Sequence, residues 1–337
     1  MTVSQAAVIS VVVFALLGSS SMVRAAEGQQ DGWRRDVTLG VARGVDRVSN
    51  FLSLNRPLDW VNGRLGRGER EPDIVFPPTT LPASDAVTTT TIPPRVVSAT
   101  NPLRLLVVGD SQADGLGTSV KKTTSQDPLV DTTVDGRVST GLARPDYYNW
   151  PARLQETLLR EDADAVVLMV GANDDQNLLN ANGSRAAVRG TPEWETEYRR
   201  RVAGLMDLVN DGRRRLIWVG EPLVARPDLN ATLQKINGIV EDEAAHRSWV
   251  EFVETSKLLA GPNGEYVDYL TPAGGAAIRC RAADGVHLTS DCNALVTARV
   301  MESIRSMFPS VVPSSVAARA TTTTAPATTT TIRVSGA

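Results

Sequence analysis

Two cysteines, Cys280 and Cys292, and two histidines, His246 and His287, are all that the 337 residues contain of these types. The acid pair Asp174-Asp175 has no histidine near it in the chain, and no metal and no cofactor is expected. Lysine is nearly as scarce, confined to Lys121, Lys122, Lys235 and Lys257; arginine makes up the rest of the basic residues, and acids balance them to a net charge of −3. That balance leaves no electrostatic footprint for nucleic acid. The Arg213 to Arg215 run reads as a solvated connection between a helix and a strand. Charge is missing altogether from Met1 to Val23, and with it the basic n-region of a standard secretory signal.

What that first segment does have is an apolar core, Ala6 to Leu17, followed by Gly18-Ser19-Ser20-Ser21 and by Val23-Arg24-Ala25. This pattern fits a cleaved signal, and the 18 residues extending to Val23 are also barely long enough for a membrane span. Residues 1–25 are therefore expected to be a signal peptide or a membrane anchor, and either places the protein outside the cytoplasm. The arginines that follow favour the opposite orientation under the positive-inside rule, so export needs other support. Cys280 and Cys292 supply it: an even pair in an exported chain reads as a disulfide.

Residues 31–66 carry apolar side chains at Val37, Val41, Val45, Val48 and Leu52, spaced by four and three. That is one stripe of an amphipathic helix, suited to docking on the rest of the chain, to a membrane surface or to another chain. Residues 67–100 are rich in proline and threonine and read as an extended linker that cannot build a core. The tract Thr321 to Thr331 repeats that composition in a tail over residues 313–337.

Between linker and tail, residues 101–312 alternate strand and helix patterns: strand Arg104 to Val108, helix Pro151 to Arg160, strand Ala165 to Val170, helix Pro192 to Asn210, strand Arg215 to Gly220, helix Leu229 to His246, strand Val250 to Val253 and helix Asn293 to Met307. Such alternation implies a parallel sheet covered on both faces. The segment between the first strand and Gly141 carries no clear period. The first strand runs into Leu105–Gly117, LLVVGDSQADGLG, where the apolar residues stop at Gly109-Asp110-Ser111. A serine thereby stands at the carboxyl end of a strand, where open α/β sheets bind ligands. It needs a base and an orienting acid to act as a nucleophile. His246 lies in a charged helical run and reads as exposed and inert. His287 follows Asp284 by three residues with Gly285 between, a turn that can bring the acid to Nδ1 while Nε2 faces Ser111. Val166 to Val170 ends in Gly171-Ala172-Asn173, so an asparagine amide also reaches the strand ends, where it can meet a developing oxyanion. Asp174-Asp175 reads as an acid pair at a helix start. The pattern G-x-S-x-G is missing, since Ala113 follows Ser111 by two, which sets aside the ordinary α/β-hydrolase elbow.

GDS, then Gly171-Ala172-Asn173-Asp174, then Asp284 to His287, in that order, resemble the SGNH or GDSL-type hydrolase superfamily. The resemblance covers Asn101 to Val312. It implies a flavodoxin-like three-layer α/β/α fold with a parallel sheet, and serine ester chemistry with Ser111, His287 and Asp284 as triad. It also implies an oxyanion hole of the Ser111 N–H, a glycine N–H and Asn173. Gly136 and Gly141 both lie in the right interval for that glycine, and Gly141 is favoured because its loop leads through Pro145 and Asn149-Trp150-Pro151 into the next helix.

The expected function is an extracytoplasmic serine esterase acting on acyl esters, O-acetyl above all, of a small molecule or a cell-envelope glycan or glycolipid. Arg144, Tyr147, Tyr148 and Trp150 beside the site suggest a glycan, or are simply core. The same triad would serve an O-acyltransferase to such a glycan. A different class is an inactive glycan-binding wall protein, against which the intact serine, aspartate and histidine argue.

Overall fold

The structure, a computed structural model, describes residues 33–52, 96–272 and 275–311, together with Leu16, Ser19, Met22, Val23 and Ala26. Most of the expected signal or anchor (1–25), nearly all of the linker (67–100) and the tail (313–337) fall outside the described residues.

The first helix, α1, runs Trp33–Leu52, and the face it covers with other described residues is not the valine stripe. Val37, Val41 and Val48 are each more than half exposed, while Leu39 and Ala42 are buried with Ala26 against Val23. Ser49 Oγ donates to the Leu16 carbonyl at 2.6 Å and Ser19 Oγ to Asp46 Oδ1 at 2.8 Å. Leu39, Ala42, Asp46 and Ser49 recur at three and four like the valines, and their smaller and polar side chains let a second segment approach closely. Among the described residues no helix is long and apolar enough to cross a membrane.

The rest of the described chain is built on a five-stranded parallel sheet: β1 Leu103–Gly109, β2 Val130–Gly136, β3 Ala165–Met169, β6 Arg215–Val219 and β7 Val250–Val253, in the order β2-β1-β3-β6-β7. Two short antiparallel pairs, β4 Leu178–Leu179 with β5 Arg185–Ala187 and β8 Tyr269–Leu270 with β9 Ile278–Arg279, sit in the connections. Side chains alternate across each strand, so β1 sends Leu105 and Val107 to one face and Leu106 and Val108 to the other. Both faces are covered, which is why these strands read as unbroken apolar runs. Helices α2 Ser111–Thr124 and α6 Ser290–Met307 cover the first face; α3 Trp150–Glu161, α4 Pro192–Val209 and α5 Pro227–Ala245 cover the second. This is the expected three-layer α/β/α arrangement, in the doubly wound flavodoxin order.

The expected strands and helices match to within three residues at each end. The segment without a clear period contains both α2 and β2. Two glycines and a run of serine, threonine and lysine blur the helical stripe of α2. The edge strand β2 carries Thr132, Thr133 and Asp135, and only Val130 and Thr132 of it are buried. His246 is exposed at the end of α5, as expected.

The sheet order reverses between β1 and β3, and doubly wound sheets bind ligands at the carboxyl ends of the strands where that happens. Ser111, Asn173 and the Glu221-Pro222 turn all lie at that edge.

Candidate active site

The turn after β1 is set by two residues. Gly109 has φ +145° and passes so close to the Met169 carbonyl and the Ala113 methyl that no Cβ fits. Asp110 is the N-cap of α2: one carboxylate oxygen accepts from Gln112 N–H at 2.9 Å, a bond typical of caps. Its other oxygen accepts from Gly171 N–H and Ala172 N–H, each at 3.1 Å. One buried carboxylate thus fixes the start of α2 and the turn after β3 together. Burial pushes its pKa up to about 6 against the pull of these donors, with the Asp174 charge adding to the rise.

Ser111 occupies the first position of α2, where the helix leaves backbone N–H groups without intrahelical partners. Its Oγ lies 2.8 Å from His287 Nε2, and His287 Nδ1 lies 2.6 Å from Asp284 Oδ2. Asp284 shapes this turn itself, because Oδ1 accepts from the Val286 and His287 N–H groups at 2.9 and 3.0 Å. Burial alone would raise the Asp284 pKa. The hydrogen bonds from the His287 ring and the two N–H groups outweigh it and bring the pKa down to about 2. The turn is also tied from outside. Gln112 Nε2 donates to the Val286 carbonyl at 3.0 Å, and the Cys280–Cys292 disulfide, with its Cα atoms 5.0 Å apart, joins the strand side of the loop to the first turn of α6.

Asn173 lies in the turn after β3, and its Nδ2 donates to the Thr140 carbonyl at 2.8 Å. That places the asparagine amide beside Gly141, whose own N–H makes no hydrogen bond with another described residue. Gly136 is the last residue of β2, paired with Gly109, and a Cβ there would press on Asp114 of α2. Of the two candidate glycines, Gly141 is the one beside Asn173. Asp174 is not part of a helix start. It is fully buried, accepts from Leu142 N–H, Ala143 N–H and Tyr198 Oη at 2.8 Å each, and so pins the Gly141 loop onto β3 and α4. Asp175 does not start a helix either; it pairs with Arg189 and accepts from Thr232 Oγ1.

The residues weighed as sugar contacts divide. Arg144 and Trp150 are buried, the first with its guanidinium on Asp146, and Tyr148 packs edge-on against Trp150. Tyr147 alone is exposed. Sequence reasoning gave no role to Asp110, Gln112, Tyr198 and Glu221 and a different one to Asp174, all of which lie beneath or beside the site. Asp110 carried a visible signal, since an aspartate between a strand and a helix is a cap. Tyr198 and Glu221 carried none, because their partners lie tens of residues away.

The arrangement can activate a serine hydroxyl and meet an oxyanion with several N–H donors. No group of histidine, cysteine, aspartate and glutamate among the described residues could hold a metal ion.

Three solved structures illustrate what the chain is similar to. A GDSL-like lipase from Bacteroides thetaiotaomicron is 17% identical over 60% of this chain and 88% of its own, with a TM-score of 0.45. The C-terminal catalytic domain of peptidoglycan O-acetyltransferase A from Streptococcus pneumoniae is 12% identical over 61% and 94%, at 0.40. A catalytic mutant of an acetylxylan esterase from Geobacillus stearothermophilus is 16% identical over 63% and 97%, at 0.41. No curated protein matches. The family profile described as a protein of unknown function (DUF459) matches residues 104–303, which hold the sheet from the second residue of β1 onward and every residue of the site, and the chain belongs to that family.

Proposed function

We propose that the protein is a serine esterase that removes short acyl groups, O-acetyl above all, from an ester. The observation that carries this reading is the unbroken relay from Asp284 through His287 to Ser111, at 2.6 and 2.8 Å. Asp284 holds the proton on Nδ1, which leaves Nε2 free to take the proton of Ser111 as Oγ attacks the ester carbonyl. The oxyanion is met by the Ser111 N–H, the Gly141 N–H and the Asn173 amide. His287 returns the proton to the leaving alcohol, and a water activated by the same imidazole releases the acid and frees Ser111.

Residues 101–312 form the catalytic domain in this reading. Its place is outside the cytoplasm, supported by the uncharged, apolar start of the chain and by the disulfide. An acylated cell-envelope glycan or glycolipid is the substrate class that suits that location. Hydrolysis is preferred over acyl transfer because the residues specify nothing beyond acyl transfer to Ser111.

The test is labelling with a fluorophosphonate together with turnover of a small acetyl ester. Wild-type protein is expected to give both, and Ser111→Ala to lose both while keeping its thermal unfolding. Undiminished labelling of Ser111→Ala overturns the assignment. A product ratio in which acetylated glycan grows at constant donor turnover, as glycan is added, overturns hydrolysis in favour of transfer.

A further inference from the structure

Glu221 follows β6 by two residues and is 1% exposed, yet neither of its carboxyl oxygens makes a hydrogen bond. Its backbone is fixed, because the Asn237 side chain of α5 accepts from Glu221 N–H at 2.7 Å and donates to the Glu221 carbonyl at 2.8 Å. The side chain leaves that anchored backbone toward β3. It crosses from β6 to the end of β3 and lies against Gly171, with Cγ and Oε1 each 3.4 Å from where a Cβ on Gly171 would stand. The other flank of that turn is Asp110, which accepts the Gly171 and Ala172 N–H groups. The turn that carries Asn173 is thus wedged between two buried carboxyls, and only one of them has donors.

The groups that act on Glu221 electrostatically are acidic. Asp110 after β1 and Asp174 after β3 disfavour its ionisation, and Tyr198 of α4 is a phenol kept protonated by burial and by Asp174. Asn237 of α5 is neutral. The Ala172 N–H, already bonded to Asp110, lies near enough to favour the Glu221 anion, but burial, first, and the two aspartates outweigh it, so the pKa is raised well above the usual glutamate range. An ionised carboxylate in this position would be buried without a cation or a donor of its own, which is among the costliest states for a side chain.

We infer that Glu221 is a positioning residue that works as the neutral acid, packing against Gly171 so that the Gly171–Asn173 turn holds the Asn173 amide in place for the oxyanion. The inference rests on the esterase reading for its catalytic consequence, but the protonation and the coupling to Asn173 do not require turnover. Loss of the proton sets a second negative charge across the turn from Asp110, and the turn must shift to relieve it.

The experiment follows the side-chain amide of Asn173 and the carboxyl carbon of Glu221 by NMR across pH, in wild type and in Glu221→Gln, which keeps the shape and cannot ionise. In wild type, the carboxyl signal absent from Glu221→Gln is expected to titrate above the range of the exposed glutamates, and the Asn173 amide to move with the same midpoint. In Glu221→Gln, the Asn173 amide is expected to lose that transition. Titration of Glu221 within the ordinary range, or an identical Asn173 transition in the variant, overturns the inference. On an acetyl ester, Glu221→Ala is expected to lower kcat about 10²-fold, the effect of misplacing a group by roughly 1 Å, at nearly unchanged KM. Glu221→Gln is expected to restore kcat and to lack the alkaline fall expected of the wild type from this group. Equal loss in the two variants also overturns it. Wild type without ester turnover but with both NMR transitions would sink the esterase reading alone.

Discussion

Asn173 Nδ2 donates to the Thr140 carbonyl at 2.8 Å and joins the turn after β3 to the loop after β2. A primary amide carries two N–H bonds, so this contact fixes the plane of the group and leaves one donor over. It also sets the spacing between that donor and the N–H of the next residue, Gly141.

If the spare donor meets the oxyanion, Asn173→Ala lowers kcat by about 10²- to 10³-fold, or ~2.7–4 kcal/mol of barrier, with KM nearly unchanged. Steady-state kinetics on a small acetyl ester, with fluorophosphonate labelling of Ser111 as a control for an intact nucleophile, reads this directly. A rise in KM at constant kcat would assign Asn173 to substrate binding instead.

Asp284→Asn is expected to cost on the order of 10⁴-fold in kcat, the loss seen when the acid of such a relay can no longer fix the tautomer. The wild-type acid keeps its role far into acid, because its pKa lies at about 2. The sign follows from that depression: its contribution to stability is present above the ordinary aspartate range and is lost as pH falls toward 2. A carboxyl titration by NMR checks the pKa, and a midpoint in the ordinary aspartate range would contradict the geometry.

Reduction of Cys280–Cys292, or replacement of both by serine, is expected to lower stability by about 3 kcal/mol from the loop-entropy estimate. Activity should fall further than the unfolded fraction explains, since the bond anchors the loop of Asp284 and His287. Denaturant unfolding with and without reductant measures the first, and ester turnover well below the transition the second. Unchanged turnover would reduce the disulfide to a stability role.

Asp174→Asn removes an acceptor for Leu142 N–H, Ala143 N–H or Tyr198 Oη and places an NH₂ against donors. A loss of roughly 1–3 kcal/mol is expected for the unsatisfied buried groups, with a fall in kcat because the Gly141 loop loses its pin. Gly141→Ala is expected to do the same, since the added methyl meets the Asp174 carboxyl. Denaturant unfolding and kinetics on both variants check the pairing; normal kinetics in either would separate Gly141 from the oxyanion.

The three-layer fold was legible because β1, β3 and β6 are buried on both faces and so read as apolar runs between helical stripes. The meeting of Ser111, His287 and Asp284 was legible because Asp284, Gly285 and His287 are close in sequence, and because a serine after a strand can only stand at one edge of a parallel sheet. The region from Ser111 to Gly136 was not, since α2 and β2 hold their places by contacts with distant residues while their own side chains are mixed. On α1 the period was right, and what the valine stripe meets was left open. The valine stripe and the Leu39, Ala42 and Ser49 face both fit a helix, and only packing against Leu16, Val23 and Ala26 chose between them.

What the sequence determined by itself is local: periods, caps, turns, and the order of GDS, Gly171-Ala172-Asn173 and Asp284 to His287. What only the tertiary structure decided is which buried carboxyl serves which backbone. Asp110 spans 61 residues to reach Gly171, Asp174 reaches back 32 to Leu142, and Glu221 reaches from the end of β6 to the neighbouring end of β3 to lie on Gly171 with no donor of its own. Aspartate and glutamate have the same composition value on a surface and in a core. Their charge state and function depend on how many N–H groups the folded chain brings to them, and that number exists only after the strands have been set side by side.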